Sequence, residues 1–262
     1  QNPESQAVRP VTGFYADRCT ESFECVAVCP SGAIRLEGYR VDHDLCEQCG
    51  LCVEACAYDA LKVIGESLTP EELMEKLLAD RPYYDSSGGG VTFTGGEPTL
   101  HHAFLERVLA LCAEAGIHTN IETSGTFPWV AWESTLRIAD LIYFDLKILD
   151  AQLHREHLGG GFDRIMENAG KLASGGFPVE FRMAAIPGFT DTPTNVDAVI
   201  ALLRDLGHER IHLLAYHNMG EAKIDIIEGN QPKLGLERYS DERWDELVEV
   251  FTRQGIEVLQ SA

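Results

Sequence analysis

Seven of the chain's eight cysteines lie between Cys19 and Cys56, and their spacing is that of iron–sulfur ligands. Cys46, Cys49, Cys52 and Cys56 read Cys-x2-Cys-x2-Cys-x3-Cys. In such a run three thiolates wrap one four-iron cubane, while the fourth serves a neighbouring cluster. A structural zinc site uses two separated Cys-x-x-Cys knuckles instead. An earlier set, Cys19, Ser22, Cys25 and Cys29-Pro30, keeps the spacing but has serine at its second position. Exchanging the fourth ligands gives one complete set: Cys29, Cys46, Cys49 and Cys52. The other holds Cys19, Cys25 and Cys56, with Ser22 or nothing at its fourth iron. A serine-ligated cubane, a three-iron cluster and a lost cluster are all open for it, and the expectation is an occupied but unusual site. Cys29-Pro30-Ser31-Gly32-Ala33-Ile34 and Cys56-Ala57-Tyr58-Asp59-Ala60-Leu61 read as two copies of one turn-plus-strand unit. A ferredoxin-like insert is therefore expected over residues 14–65, with one or two [4Fe–4S] clusters and a reducing, anaerobic cytoplasm around it.

A second group of chemically capable residues sits where short apolar runs end. Gly95-Gly96-Glu97, Glu122-Thr123, Asp145-Leu146-Lys147 and His217 each follow such a run, and Arg182 alternates with apolar residues inside another. Each has a plainer reading: a turn, an ion pair between Asp145 and Lys147, a loop histidine, an arginine balancing Glu122 or Asp145. Four polar strand ends in succession nevertheless mark a site, since catalytic groups of parallel βα folds gather there.

The elements that must position them alternate strand and helix. Strands are predicted at Val91–Thr94, Ile117–Ile121, Leu141–Phe144, Val179–Ala185, Ile211–Tyr216 and Ile256–Leu259. Thr69-Pro70-Glu71-Glu72 is a capping box that opens a helix to about Arg81. Further helices are predicted over 99–115, 127–138, 162–174, 195–206 and 241–254, with Cys112 on the apolar face of the first of these. Repeated βα units imply an α/β fold with a parallel sheet, open or closed into a partial barrel. The glycine-rich loop lacks Gly-Lys-Ser/Thr, so it is not a P-loop, and no dinucleotide fingerprint occurs. The chain has 262 residues, 45% of them hydrophobic, with a formal charge of −21. Disorder is excluded, and bulk-charge binding to nucleic acid or anionic membrane is not expected.

Thr92-Phe93-Thr94-Gly95-Gly96-Glu97-Pro98, Ile121-Glu122-Thr123-Ser124-Gly125, Asp145-Leu146-Lys147, Ile186-Pro187-Gly188-Phe189 and Leu214-Ala215-Tyr216-His217 resemble, in order and spacing, the motifs of glycyl-radical-enzyme activating enzymes. These form a subgroup of the radical S-adenosylmethionine superfamily that carries a two-cluster ferredoxin insert. The resemblance implies a partial (β/α)6 barrel. It implies reductive cleavage of S-adenosylmethionine to a 5′-deoxyadenosyl radical, which takes hydrogen from a backbone glycine of a partner glycyl radical enzyme. It places Gly95, Gly96 and Glu97 at the methionine amino group and Glu122 and Thr123 near the ribose. Asp145, Leu146, Lys147, Arg182 and His217 line the rest. A flavodoxin or ferredoxin is implied as electron donor.

One departure goes with it. The family's catalytic [4Fe–4S] cluster sits on Cys-x3-Cys-x2-Cys after the first barrel strand, and no such run occurs in these residues. Gln1-Asn2-Pro3-Glu4-Ser5 resembles the stretch directly after the last of those cysteines, which puts Gln1 beside the cofactor. Residues 1–13 are thus read as a remnant of the first barrel unit, 14–65 as the insert and 66–262 as the barrel, in a chain lacking its first strand and inactive by itself. Rival readings are a radical enzyme with another substrate and a non-catalytic electron-transfer or partner-binding module.

Overall fold

The structure is a computed structural model that describes residues 5, 9–38, 40–228 and 232–260. It opens with β1 (Val11–Phe14), α1 (Glu24–Val28), α2 (Leu51–Glu54), β2 (Leu61–Ile64), α3 (Pro70–Ala79) and α4 (Arg81–Ser87). Then come β3 (Gly90–Phe93), α5 (His102–Ala115), β4 (His118–Thr123), α6 (Trp129–Leu136), β5 (Leu141–Leu146), α7 (Ala151–Leu158) and α8 (Phe162–Ser174). The chain finishes with β6 (Val179–Ala185), α9 (Pro193–Asp205), β7 (Arg210–Ala215), α10 (Met219–Ile226), α11 (Asp241–Arg253) and β8 (Glu257–Gln260). Two compact units result: Gln1–Ser67 with His217–Leu236, and Leu68–Tyr216 with Glu237–Ala262.

The first unit is a doubled structure. A shift of 27 residues, which carries Cys19 to Cys46 and Cys29 to Cys56, also carries α1 onto α2. It takes Glu21, Phe23 and Gly32, with φ of 58°, 58° and 65°, onto Gln48, Gly50 and Asp59, with φ of 58°, 78° and 55°. Left-handed backbone at four non-glycine residues is costly and persists only where the surroundings impose it. Here it recurs at matching places in two cysteine loops. The antiparallel Phe14–Leu61 pair of β1 and β2 has its counterpart in the Ile34–Val41 bridge. Residues 217–236, expected with the barrel, belong to this unit instead. Its helix α10 packs on β1, and Glu228 accepts hydrogen bonds from the backbone N–H groups of Arg40 and Val41.

The second unit holds six parallel strands in the order β3-β4-β5-β6-β7-β8. Each pair of neighbours is also consecutive in the chain, so every connection is a helical crossover. This is an α/β arrangement with an all-parallel sheet, as the repeated βα units implied. The period-two alternation of strands explains its two faces. In β5, Ile142, Phe144 and Leu146 are buried, and in β6 so are Val179, Phe181, Met183 and Ala185. Those residues join the core under the helices. The intervening Tyr143, Asp145, Glu180 and Arg182 occupy the opposite face.

Several boundaries differ from the sequence reading, each for a local reason. The helix expected over 99–115 is a 3-10 turn at Pro98–Leu100 followed by α5. The one expected to reach Arg81 stops at Ala79 and restarts as α4, where Pro82 prevents continuation. Helix α7 was not foreseen, because Gln152, His154, Arg155, Glu156 and His157 leave no apolar period; Asp150 caps it through the N–H groups of Gln152 and Leu153. Cys112 is fully buried on α5.

Gly125 is a glycine that the fold requires on two counts. Its φ is +78°, and a Cβ there would lie 2.2 Å from Phe144 Cζ. Gly125→Ala is expected to cost about 3 kcal/mol through overpacking and left-handed strain, measured by chemical denaturation. Among the described residues, no helix is long and apolar enough to cross a membrane.

Candidate functional site

The carboxyl ends of β3, β4 and β5 carry an acidic and basic network built by long-range pairing. Glu97 follows β3 and caps the 3-10 turn after it. Its Oε1 accepts from Thr99 N at 3.2 Å, Thr99 Oγ1 at 2.6 Å and Thr123 Oγ1 at 2.8 Å. Its Oε2 accepts from Ser124 N at 2.8 Å and Ser124 Oγ at 2.6 Å. Five donors fill the roughly four lone-pair positions of a carboxylate, so Glu97 is committed to tying the β3 turn to the end of β4. Gly95 in that turn has φ of +123°, a conformation open to glycine.

Beside it, Arg182 on β6 forks onto two carboxylates. Nη1 and Nη2 donate to Glu122 Oε1 and Oε2 at 2.6 and 2.9 Å, and Nε donates to Asp145 Oδ1 at 2.7 Å. Burial pulls the guanidinium toward its neutral form, but these carboxylates outweigh it and raise its pKa. Glu122 also accepts from Thr94 Oγ1 at 2.7 Å, and Lys147 Nζ lies 3.2 Å from Asp145 Oδ2. Register makes the cluster possible: Asp145 is directly opposite Arg182, and Glu122 opposite Tyr143. The two acids and two bases balance, and with its side chain 33% exposed Lys147 is the one free to turn toward a ligand.

The loop carrying Lys147 is pinned from behind by buried Asn195. Asn195 accepts from Leu149 N and donates to Lys147 O and Thr190 O, each within 2.9 Å. A pocket of about 180 Å³ opens alongside, lined by Ser124, Asp145 and Lys147 and by the apolar Ile148, Leu158 and Met166. The structure thus brings together Gly95, Gly96, Glu97, Glu122, Thr123, Asp145, Leu146, Lys147 and Arg182 at neighbouring strand ends. His217 falls beyond β7, in the segment that belongs to the first unit, and Gln1 lies outside the described residues. Thr94, Thr99, Ser124 and Asn195 were missed. Ser124 and Thr94 lie inside the quoted motifs and could have been read as partners of the acids, whereas Asn195 gives no local signal.

In the first unit the cysteines fall into two groups. Cys52 is buried and its thiol is pushed up to about 11, first by burial and then by Cys46, Cys29 and Cys49 around it. Cys25 is raised by burial, with Arg40 acting against this and Cys56 adding to it. Cys19, Ser22, Cys25 and Cys56 line a second, small pocket together with Arg40 and Tyr58. Cys29 and Cys56 are depressed despite burial. Cys29 receives hydrogen bonds from Ser31 and the backbone of Ala33 and Ile34, and Cys56 from the backbone of Tyr58, Ala60 and Leu61. These are the same offsets in both copies, so each repeat builds an N–H nest for its last thiolate. Among the described residues no three His, Cys, Asp or Glu side chains are close enough for one metal ion. A cubane sits between its thiolates and spreads them wider than a single ion does, so the donor set fits iron–sulfur clusters.

Comparison with known proteins places this geometry in a family. Residues 51–200 match the radical SAM superfamily model, and residues 39–62 match that of a 4Fe-4S binding domain. The isethionate sulfite-lyase activating enzyme of Oleidesulfovibrio alaskensis is 36% identical, over 88% of this chain and 77% of its own length. The 4-hydroxyphenylacetate decarboxylase activating enzyme of Clostridioides difficile is 34% identical, over 97% of this chain and 84% of its own. The benzylsuccinate synthase activating enzyme of Thauera aromatica is 33% identical, over 98% and 81%. Among solved structures, a domain of pyruvate-formate lyase-activating enzyme from Bacteroides vulgatus superposes with a TM-score of 0.55 at 26% identity, covering 66% of this chain and 99% of that one. The chain belongs to the radical SAM superfamily, among the activating enzymes of glycyl radical enzymes, as an S-adenosylmethionine-dependent oxidoreductase with 4Fe-4S sites.

Proposed function

We propose that the strand-end network of the second unit is the S-adenosylmethionine site and that the two cysteine groups hold two clusters, with Ser22 beside the second. The carrying observation is the convergence of Glu122, Asp145, Lys147 and Arg182 from three neighbouring strands in one charge-balanced network, with Glu97 tethering the β3 turn beside it. When bound and reduced by one electron, the cofactor supplies the 5′-deoxyadenosyl radical that takes hydrogen from a partner's glycine.

This chain's residues bind and orient it. Backbone carbonyls of the Gly95-Gly96 turn suit an ammonium, and Lys147, turning from Asp145, suits a carboxylate. Glu122 faces the ribose, while Thr123 acts from the buried face of β4 by holding Glu97, and Leu146 packs in the core beneath the site. Arg182 holds both acids in place, so the site needs little reorganisation when the ligand arrives. Glu97 acts at one remove, holding the glycine turn rather than touching the amino group. The surroundings are a cytoplasm with a flavodoxin or ferredoxin as donor, and the charge of −21 leaves nucleic acid and anionic membrane as poor partners.

The test is co-expression under anaerobic conditions with isethionate sulfite-lyase, 4-hydroxyphenylacetate decarboxylase or benzylsuccinate synthase. A doublet glycyl radical signal in one of them, with 5′-deoxyadenosine formed and oxygen-induced cleavage of that partner, is the expected result. Release of 5′-deoxyadenosine with a small-molecule substrate and no radical in any partner would overturn the partner assignment.

A further inference from the structure

Two departures from the internal repeat of the first unit fall on the same side. Ser22 stands where the 27-residue shift puts Cys49, and Arg40 stands where it puts Gly13. At Gly13 a Cβ would lie 2.4 Å from Ile64 Cδ1 and 2.9 Å from Ile226 Cγ2, so any side chain there requires those isoleucines to move. It follows Thr12, whose hydroxyl is 3.9 Å from Cys46 Sγ, and so accompanies the complete cysteine set. Arg40 instead lines the pocket of Cys19, Ser22, Cys25 and Cys56.

Arg40 is held in place without being satisfied. Glu228 fixes its backbone N–H, and its guanidinium lies 5.1 Å from the Phe14 ring centre and 5.7 Å from that of Phe23. Among the described residues its Nη1 is buried with no hydrogen-bond partner. An orphaned guanidinium N–H is costly unless something accepts from it. Glu21 also lines the pocket, but it is exposed and its charge is screened by water.

We infer that the cluster site at Cys19, Ser22, Cys25 and Cys56 is the higher-potential of the two, and that Arg40 makes it so by donating from Nη1 to the cluster. The inference rests on reading the second cysteine group as an occupied site. Reduction adds one electron, taken from an external low-potential donor, and one negative charge, with no bond made or broken. The Arg40 guanidinium favours that added charge, as hydrogen bonds and net charge do at such clusters generally. The electron then rests on the Arg40 side.

The experiment is a redox titration with dithionite, followed by electron paramagnetic resonance, of the full chain reconstituted anaerobically with iron and sulfide. Wild type is expected to reduce in two steps. In Arg40→Met the upper step falls by at least about tenfold in equilibrium constant, about 59 mV for one electron. Cys46→Ala, which removes a ligand of the complete set, leaves the Arg40-sensitive step in place. If Arg40→Met sheds the second cluster, Arg40→Gln carries the test with the same outcomes. An unshifted upper step with full iron content overturns the role of Arg40 and leaves the cluster assignment standing. Wild type with the iron and signal of one cluster only overturns both.

Discussion

Arg182→Leu is expected to destabilise the second unit by about 3–5 kcal/mol, the cost of leaving buried charges without their partner. The arginine side chain is 11% exposed, Glu122 is 21% and Asp145 is 18%. Its loss strands two carboxylates 2.6–2.9 Å from where three N–H donors had been. For a unit of this size the melting temperature should fall by roughly 6–20 °C. Adding Glu122→Gln to Arg182→Leu should recover part of the loss, because one uncompensated charge disappears. Differential scanning calorimetry on the single and double variants separates the cases. An Arg182→Leu protein that melts within a degree of wild type would show that the acids find water instead. The ion network would then be a surface feature with little energetic weight.

Glu97→Ala should lower S-adenosylmethionine cleavage about 100-fold, the order expected when a binding turn shifts by an ångström. On the proposed reading the side chain acts through its neighbours. It gathers Thr99, Thr123 and Ser124 around one carboxylate and thereby sets the Gly95-Gly96 turn. Weaker cofactor binding, read by equilibrium dialysis, should accompany the lower kcat while far-UV circular dichroism stays native. Glu97→Gln is intermediate, since its amide nitrogen must face one of the donors that the carboxylate oxygens accepted from. Unchanged cofactor affinity in Glu97→Ala would sink the tethering role. If turnover in that variant still collapsed, a direct contact to the reacting cofactor would be the better account.

The cysteine grouping was legible in the sequence because cluster ligation is local. A thiolate every third residue meets one cubane whatever the rest of the chain does, and the exchange of Cys29 and Cys56 comes with the doubled spacing. The strand ends were legible for a similar reason: apolar runs of strand length alternate with helical patterns, and polar residues after each run have one end of a parallel sheet to occupy. What was not legible is which of those residues meet. Arg182 reaches Glu122 across 60 positions of chain, and only the register of β4, β5 and β6 decides that pairing. Glu97 read as a ligand from its motif, but Ser124 and Thr123 spend its lone pairs. His217 followed an apolar run, yet its segment packs with the first unit. Arg40 carried no signal at all until the repeat was superposed on itself and its counterpart proved to be Gly13. Spacing along the chain settled the kind of chemistry, since ligand sets and strand ends are local patterns. Tertiary structure alone decided which charges are partnered and which donor is left over, because hydrogen bonds and burial are set by residues far apart in sequence.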